Sequence, residues 1–247
     1  MTRSPVAMSR GNRAGFTIIE LLVVIGILLL LGALFMPATR RAREPARRAA
    51  CKSNLKQIAV ALHNYHEQYG CFPPAYTMGP DCKPLHSWRT LLLPYMDHKD
   101  LYEKIDLSKP WDDPVNAKVF QSEENRVWVY QCPSLSTPAT HTTYLGMVGD
   151  EYAFHPQRGR ALRELKDGAS NTLMVIEVAP ENAVPWMAPV DSDGREFVDF
   201  TEDSSTTHHG GGHGLFADGS VWFFGAHDSV ARRRGLLTIA GDDHVEE

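Results

Sequence analysis

Histidine, cysteine and closely spaced carboxylates are the residues of this 247-residue chain best suited to metal or acid–base chemistry, and their spacing decides how far that chemistry can go. His208-His209-Gly210-Gly211-Gly212-His213 sets three imidazoles within six residues. Imidazole is a common zinc ligand and glycine lets a backbone curl around an ion, but a zinc site needs three or four converging ligands. One loop does not supply them. The spacing predicts a flexible surface loop leading into a hairpin, with His208 as a clasp near the Asp218 turn and no metal ligand assigned. His63 and His66 lie three apart, hence side by side on a helix, and are expected at the solvent edge flanking Tyr65. Asp191-Ser192-Asp193-Gly194 offers hard oxygens of the kind calcium takes, yet the full twelve-residue calcium loop is missing, which leaves a turn. Cys51, Cys71, Cys82 and Cys132 allow three pairings and contain no CxxC. Cys71 with Cys82, closing a short loop around Pro73, Pro74 and Pro80, is the expected disulfide, with free buried thiols as the alternative. There is no Gly-x-Ser-x-Gly elbow and no phosphate-cradling glycine loop, so neither an enzyme nor a cofactor is expected.

The elements that must position these residues follow from periodicity. Cys51, Leu55, Ile58, Leu62, Tyr65 and Tyr69 recur at alternating steps of four and three, one apolar stripe along a helix that Gly70 and Pro73-Pro74 bring to an end. Trp88 to Ile105 reads as helical and broken at Pro94. Strands are expected at Val127 to Gln131, Thr143 to Val148, Thr172 to Val178 and Glu196 to Phe200. Leu215 to Ala217, Asp218-Gly219 and Ser220 to Phe224 form the clearest hairpin, because Asp-Gly suits a two-residue turn with positive φ. Asp228 to Ile239 reads as a short helix. The fold class expected is α+β, a long N-terminal helix lying on an antiparallel sheet. With 43% hydrophobic and 22% charged residues and a net charge of −5, the composition is globular and argues against nucleic-acid binding.

Upstream of the stripe the chain is of another kind. Phe16 to Met36 is 21 residues with one charge, against the roughly 20 that a helix needs to cross hydrocarbon. A lone Glu20 in such a run needs a partner, since a carboxylate near a bilayer costs on the order of 2.5 to 3.5 kcal/mol at a helix centre and less toward its end. The run is also too long for a cleaved secretory signal and continues into Pro37-Ala38-Thr39-Arg40-Arg41.

Gly15-Phe16-Thr17-Ile18-Ile19-Glu20 resembles the cleavage and methylation site of type IV prepilins and type II secretion pseudopilins. The resemblance implies a cut between Gly15 and Phe16, methylation of the new Phe16 amine, use of Glu20 in assembly and a helix kink at Pro37. It further implies a pilin-like fold and, as partners, a prepilin peptidase that is also the N-methyltransferase, other pilin-like subunits and the inner membrane. The organisation expected is a leader at 1–15, a membrane-spanning helix half at 16–36, an amphipathic outer half at 37–70 and an exported domain at 71–247. Arg40, Arg41, Arg43, Arg47 and Arg48 outnumber Arg3, Arg10 and Arg13, so charge alone would leave the C-terminal domain in the cytoplasm. The resemblance implies the opposite, with the leader inside and the domain periplasmic or extracellular.

A second resemblance covers almost the whole chain. Arg47 to Gln57, His63 to His66, Gly70 to Ala75, Ser87 to Tyr95, Gln131 to Ser134, Asp167 to Leu173 and Val184 to Trp186 are similar to the bacterial prepilin-like family known as domain of unknown function 1559. So is His208, followed after nine residues by Asp218-Gly219. Together these imply a structural subunit of a pilus, pseudopilus or related surface structure. A membrane-tethered extracytoplasmic binding module is the alternative.

Overall fold

The computed structural model describes residues 17–241, with side chains throughout except at 32–43. The chain divides into two compact units, residues 1–43 and 44–247. Helix α1 runs Ile18–Tyr69, with Pro37 and Pro45 inside it. Its start is a capping box: Glu20 Oε2 accepts from the Thr17 N–H and hydroxyl, each at 2.9 Å, while Thr17 Oγ1 accepts from the Glu20 N–H at 3.3 Å. Residues 18–31 are helical, with exposed apolar side chains. Among the described residues no helix is long and apolar enough to cross a membrane. The span expected at 16–36 lies partly outside them, and the leader at 1–15 wholly outside.

In the second unit α1 buries the expected stripe. Cys51, Leu55, Ile58 and Leu62 are fully or almost fully buried, worth about 1.5–3 kcal/mol for each large aliphatic side chain, whereas Tyr69 is exposed. Gly70, at φ +72, accomplishes the left-handed exit.

Among the described residues eight short strands follow: β1 Tyr76–Met78, β2 Pro84–Ser87, β3 His141–Thr142, β4 Tyr144–Gly146, β5 Leu173–Glu177, β6 Val184–Pro185, β7 Gly211–Phe216 and β8 Val221–Gly225. The main sheet is antiparallel in the order β4-β5-β7-β8, and β1-β2 and β3-β6 make two small antiparallel pairs. Among the described residues five short α-helices accompany them: α2 Trp88–Leu91, α3 Lys99–Tyr102, α4 Pro114–Gln121, α5 Arg195–Val198 and α6 Val230–Gly235. Val175, Leu215 and Val221 join the α1 stripe, Trp88, Tyr144 and Trp186 in one core. Leu173, Ile176, Phe216 and Phe224 join Phe197 and Leu237 in a second. All five residues of β5 are buried, as a strand covered on both faces requires.

Several sequence expectations are corrected. Val127 to Gln131 is not a strand: Trp128–Tyr130 is a 3-10 turn that buries Val127 and Tyr130 three residues apart and points the Tyr130 hydroxyl at the Arg89 carbonyl, 2.7 Å away. Glu196 to Phe200 overlaps helix α5 instead of forming a strand, because Gly194 at φ +93 starts a helical turn and the adjacent Phe197 and Val198 are both buried, which breaks strand alternation. Gly211 to Gly214 is strand rather than flexible loop, and here glycine permits close approach. A Cβ at Gly212 would stand 2.8 Å from the Glu177 carbonyl. The disulfide joins Cys51 to Cys132, with Cα atoms 5.4 Å apart, while Cys71 and Cys82 are unpaired. Cys51 sits on the buried stripe and is carried into the core, whereas Cys82 lies exposed in a turn.

The Asp-Gly turn is present in a different form. Phe216 and Ser220 close a three-residue loop in which only Gly219 has positive φ, +81, the bulged type rather than the two-residue one.

Candidate functional site

A buried acid–imidazole cluster is assembled by β5, β7 and the first turn of α1 inside the second unit. Glu177 ends β5 with a fully buried side chain. His213, in β7, places Nδ1 2.8 Å and its backbone N–H 3.2 Å from Glu177 Oε2. His208 enters from a tight turn closed by mutual backbone bonds with Gly211, and its Nε2 stands 3.4 Å from the same oxygen. The far nitrogen of His208, Nδ1, meets Glu44 Oε1 at 2.9 Å and Ser134 Oγ at 3.2 Å. The two imidazoles meet edge to face, with centroids 5.1 Å apart.

The electrostatics are mutual. Burial pushes the Glu177 carboxyl up, but His208 and His213 outweigh it and hold its pKa below the ordinary glutamate value. Burial likewise opposes the His208 imidazolium, and Glu177 followed by Glu44 overturns that, so its pKa is raised. The cluster is therefore a charge-assisted clasp joining the start of the domain's helix to two sheet strands. Glu177 and His213 also border a cleft of about 370 Å³ lined by Phe197, Phe200, Thr207 and Phe224.

A second buried ion pair is fully satisfied. Arg89 Nη1 lies 2.5 Å from Asp191 Oδ1, and the guanidinium also donates to the carbonyls of Tyr144, Trp186, Ala188 and Val190. Asp191 accepts further from the Gly146 N–H and the Trp88 indole. Asp193 pairs instead with Arg195, so the carboxylates of Asp191-Ser192-Asp193-Gly194 serve different cationic partners.

The structure places the other candidate residues as follows. Gly15 and Phe16 lie outside the described residues, Glu20 caps α1, and Pro37 lies within α1. His208 sits in the cluster rather than at the Asp218 turn. Asp218 Oδ1 takes the Ser220 N–H at 2.7 Å, and the Gly219 carbonyl takes Lys56 Nζ at 2.6 Å. His209 is exposed. His63 stacks edge-on to Phe72, and His66 Nε2 accepts from the Leu162 N–H at 3.3 Å. Glu177 and Glu44 carry no motif, and Ser134 belongs only to the Gln131 to Ser134 resemblance. Glu177 alone left a trace in the sequence, as an acid inside the apolar run Thr172 to Val178, which demands a buried partner.

Comparison with known proteins bears on both units. Residues 10–36 match the prokaryotic N-terminal methylation motif. Residues 40–146 match a family described as protein of unknown function, DUF1559. The type II secretion system core protein G of Pseudomonas aeruginosa is 36% identical over 66 residues, covering 27% of this chain and 46% of that protein, so the match spans less than half of the relative's length. No solved structure matches. The chain thus joins a prokaryotic N-terminal methylation motif to a DUF1559 region that begins within α1 and reaches the end of β4.

Proposed function

We propose that the chain is a pilin- or pseudopilin-like structural subunit. It is cut after Gly15 and methylated at Phe16 by a prepilin peptidase/N-methyltransferase, held in the inner membrane by residues 16–36 with its domain on the far side, and assembled with other pilin-like subunits. The observation that carries this reading is the methylation motif at 10–36 running directly into the capped helix α1. The exposed apolar side chains of residues 18–31 add support, since lipid and neighbouring helices are the surroundings such a surface favours. So does the likeness to a protein named as a core component of type II secretion.

Glu20 has two separable roles in this reading. Its hydrogen bonds cap α1, and its charge pairs with the Phe16 amine of a neighbouring subunit. Glu20→Gln retains the cap and removes the charge, so the variant inserts normally but drops out of the sheared, sedimentable fibre fraction. Mass spectrometry of the native chain tests the processing: a polypeptide beginning at N-methylated Phe16 is expected, and one retaining residues 1–15 overturns the reading. The cleft beside Glu177 and His213 favours a second reading, a tethered extracytoplasmic binding module, in which the protein stays wholly with the membrane after shearing.

A further inference from the structure

We propose that Cys51, Cys132, His208 and Glu177 form a redox-gated site for a divalent cation of the zinc class, shut as a disulfide and opened to metal when the two sulfurs are reduced. The four side chains come from α1, the segment after the Trp128–Tyr130 turn, the end of β5 and the turn before β7. All four are buried, and one donor atom from each lies within 4.8 Å of the other three. A tetrahedral zinc ion with bonds of about 2.0–2.3 Å holds its ligands roughly 3.3–3.8 Å apart, so the two sulfurs must part and the more distant donors draw in, each separation changing by about 1.5 Å or less.

Two further observations point to a cation. Glu177 Oε1 is buried and makes no hydrogen bond, and His208 Nε2, also buried, meets Glu177 Oε2 at 3.4 Å without hydrogen-bond geometry, so both atoms are poorly satisfied. The opposite atom of each side chain is already engaged. His208 Nδ1 lies on the Glu44 carboxylate and Glu177 Oε2 on His213, the outer-shell support that orients metal-binding imidazoles and carboxylates. Each of the two side chains therefore offers one ligand atom to the group with its supporting bonds in place.

Opening the site takes two electrons from an external thiol or phosphine. With a phosphine, the Cys51–Cys132 bond breaks, water gives its oxygen to the phosphine oxide, and its two protons go to the sulfurs. Metal binding then expels both thiol protons, leaving two thiolates, one carboxylate and a neutral imidazole around the cation. Reoxidation withdraws two of the four donors and releases the metal. None of this depends on how the N-terminus is processed or assembled.

The test is a cobalt(II) titration of the full chain in detergent, oxidised and phosphine-reduced, with near-ultraviolet circular dichroism recorded to follow the fold. One cobalt per reduced chain is expected, with the visible absorption of a tetrahedral ion and a thiolate charge-transfer band, both abolished by zinc and absent from the oxidised chain. Glu177→Gln and His208→Ala each weaken binding at least ~10-fold, and Cys132→Ser also loses most of the thiolate band. The proposal is overturned by a folded, reduced chain without these bands, by bands that persist in Cys132→Ser, or by equal uptake in the oxidised chain. A reduced chain that unfolds and is not refolded by zinc overturns it as well.

Discussion

Arg89 and Asp191, 102 residues apart in sequence, meet with side chains 0% and 2% exposed. Removing one member of such a pair strands the other charge in the core, which costs about 3–5 kcal/mol. Asp191→Ala is accordingly expected to lower the unfolding free energy by that amount, read as a fall in the urea midpoint. Glu164 shows the opposite extreme, a partly exposed carboxylate with a pH signature. The Ala161 N–H and then the Arg158 side chain hold its pKa below the ordinary value of 4.5. The unfolded chain therefore binds its proton first as pH falls, so the stabilisation is complete above about pH 4.5 and disappears through the depressed pKa. Urea unfolding from pH 6 downward should show wild type more stable than Glu164→Gln at pH 6 and the gap shrinking as Glu164 protonates.

Among the elements, the β7–β8 hairpin makes the sharpest demands on residue type. Gly219 occupies the left-handed position of its turn, and a Cβ there would meet Ala59 and His63 only at ordinary van der Waals distances of 3.6 Å and more, so Gly219→Ala is expected to cost about 1 kcal/mol, through backbone strain. Gly212 has the opposite problem. Its backbone lies against that of Glu177, and an added methyl group separates β7 from β5, at an expected 1–3 kcal/mol, roughly that of an overpacked core. Thermal unfolding of the two variants should place Gly212→Ala below Gly219→Ala. A larger loss at Gly219 would refute the close-approach account of this strand.

For the whole molecule, the disulfide is the longest covalent tie, closing a sequence separation of 81 residues between α1 and the Cys132 segment. Chain entropy alone assigns such a closure about 4.5 kcal/mol. Reduction in metal-free buffer is therefore expected to lower the unfolding free energy by about that amount, measured by denaturant titration with and without reductant. How much of this architecture could be read in advance depended on distance along the chain. The stripe from Cys51 to Leu62, the stop at Gly70, the strands around Thr143 and Thr172 and the Asp218-Gly219 turn were legible, because each is set by neighbours a few residues away. Val127 to Gln131 misled because a short apolar run has no period long enough to separate strand from turn. His208 to His213 misled because glycine reads as freedom when it here serves close contact. Taken alone, the sequence determined the buried stripe of α1 and its stop at Gly70, the strands around Thr143 and Thr172 and the N-terminal motif, all products of local propensity and spacing. Only the tertiary structure decided that Cys51 pairs with Cys132, that Arg89 meets Asp191, and that His208 reaches Glu44 across 164 residues. Those partners exist only once the chain has closed and water has been excluded, since desolvation makes each buried charge or thiol depend on whatever the fold has brought beside it.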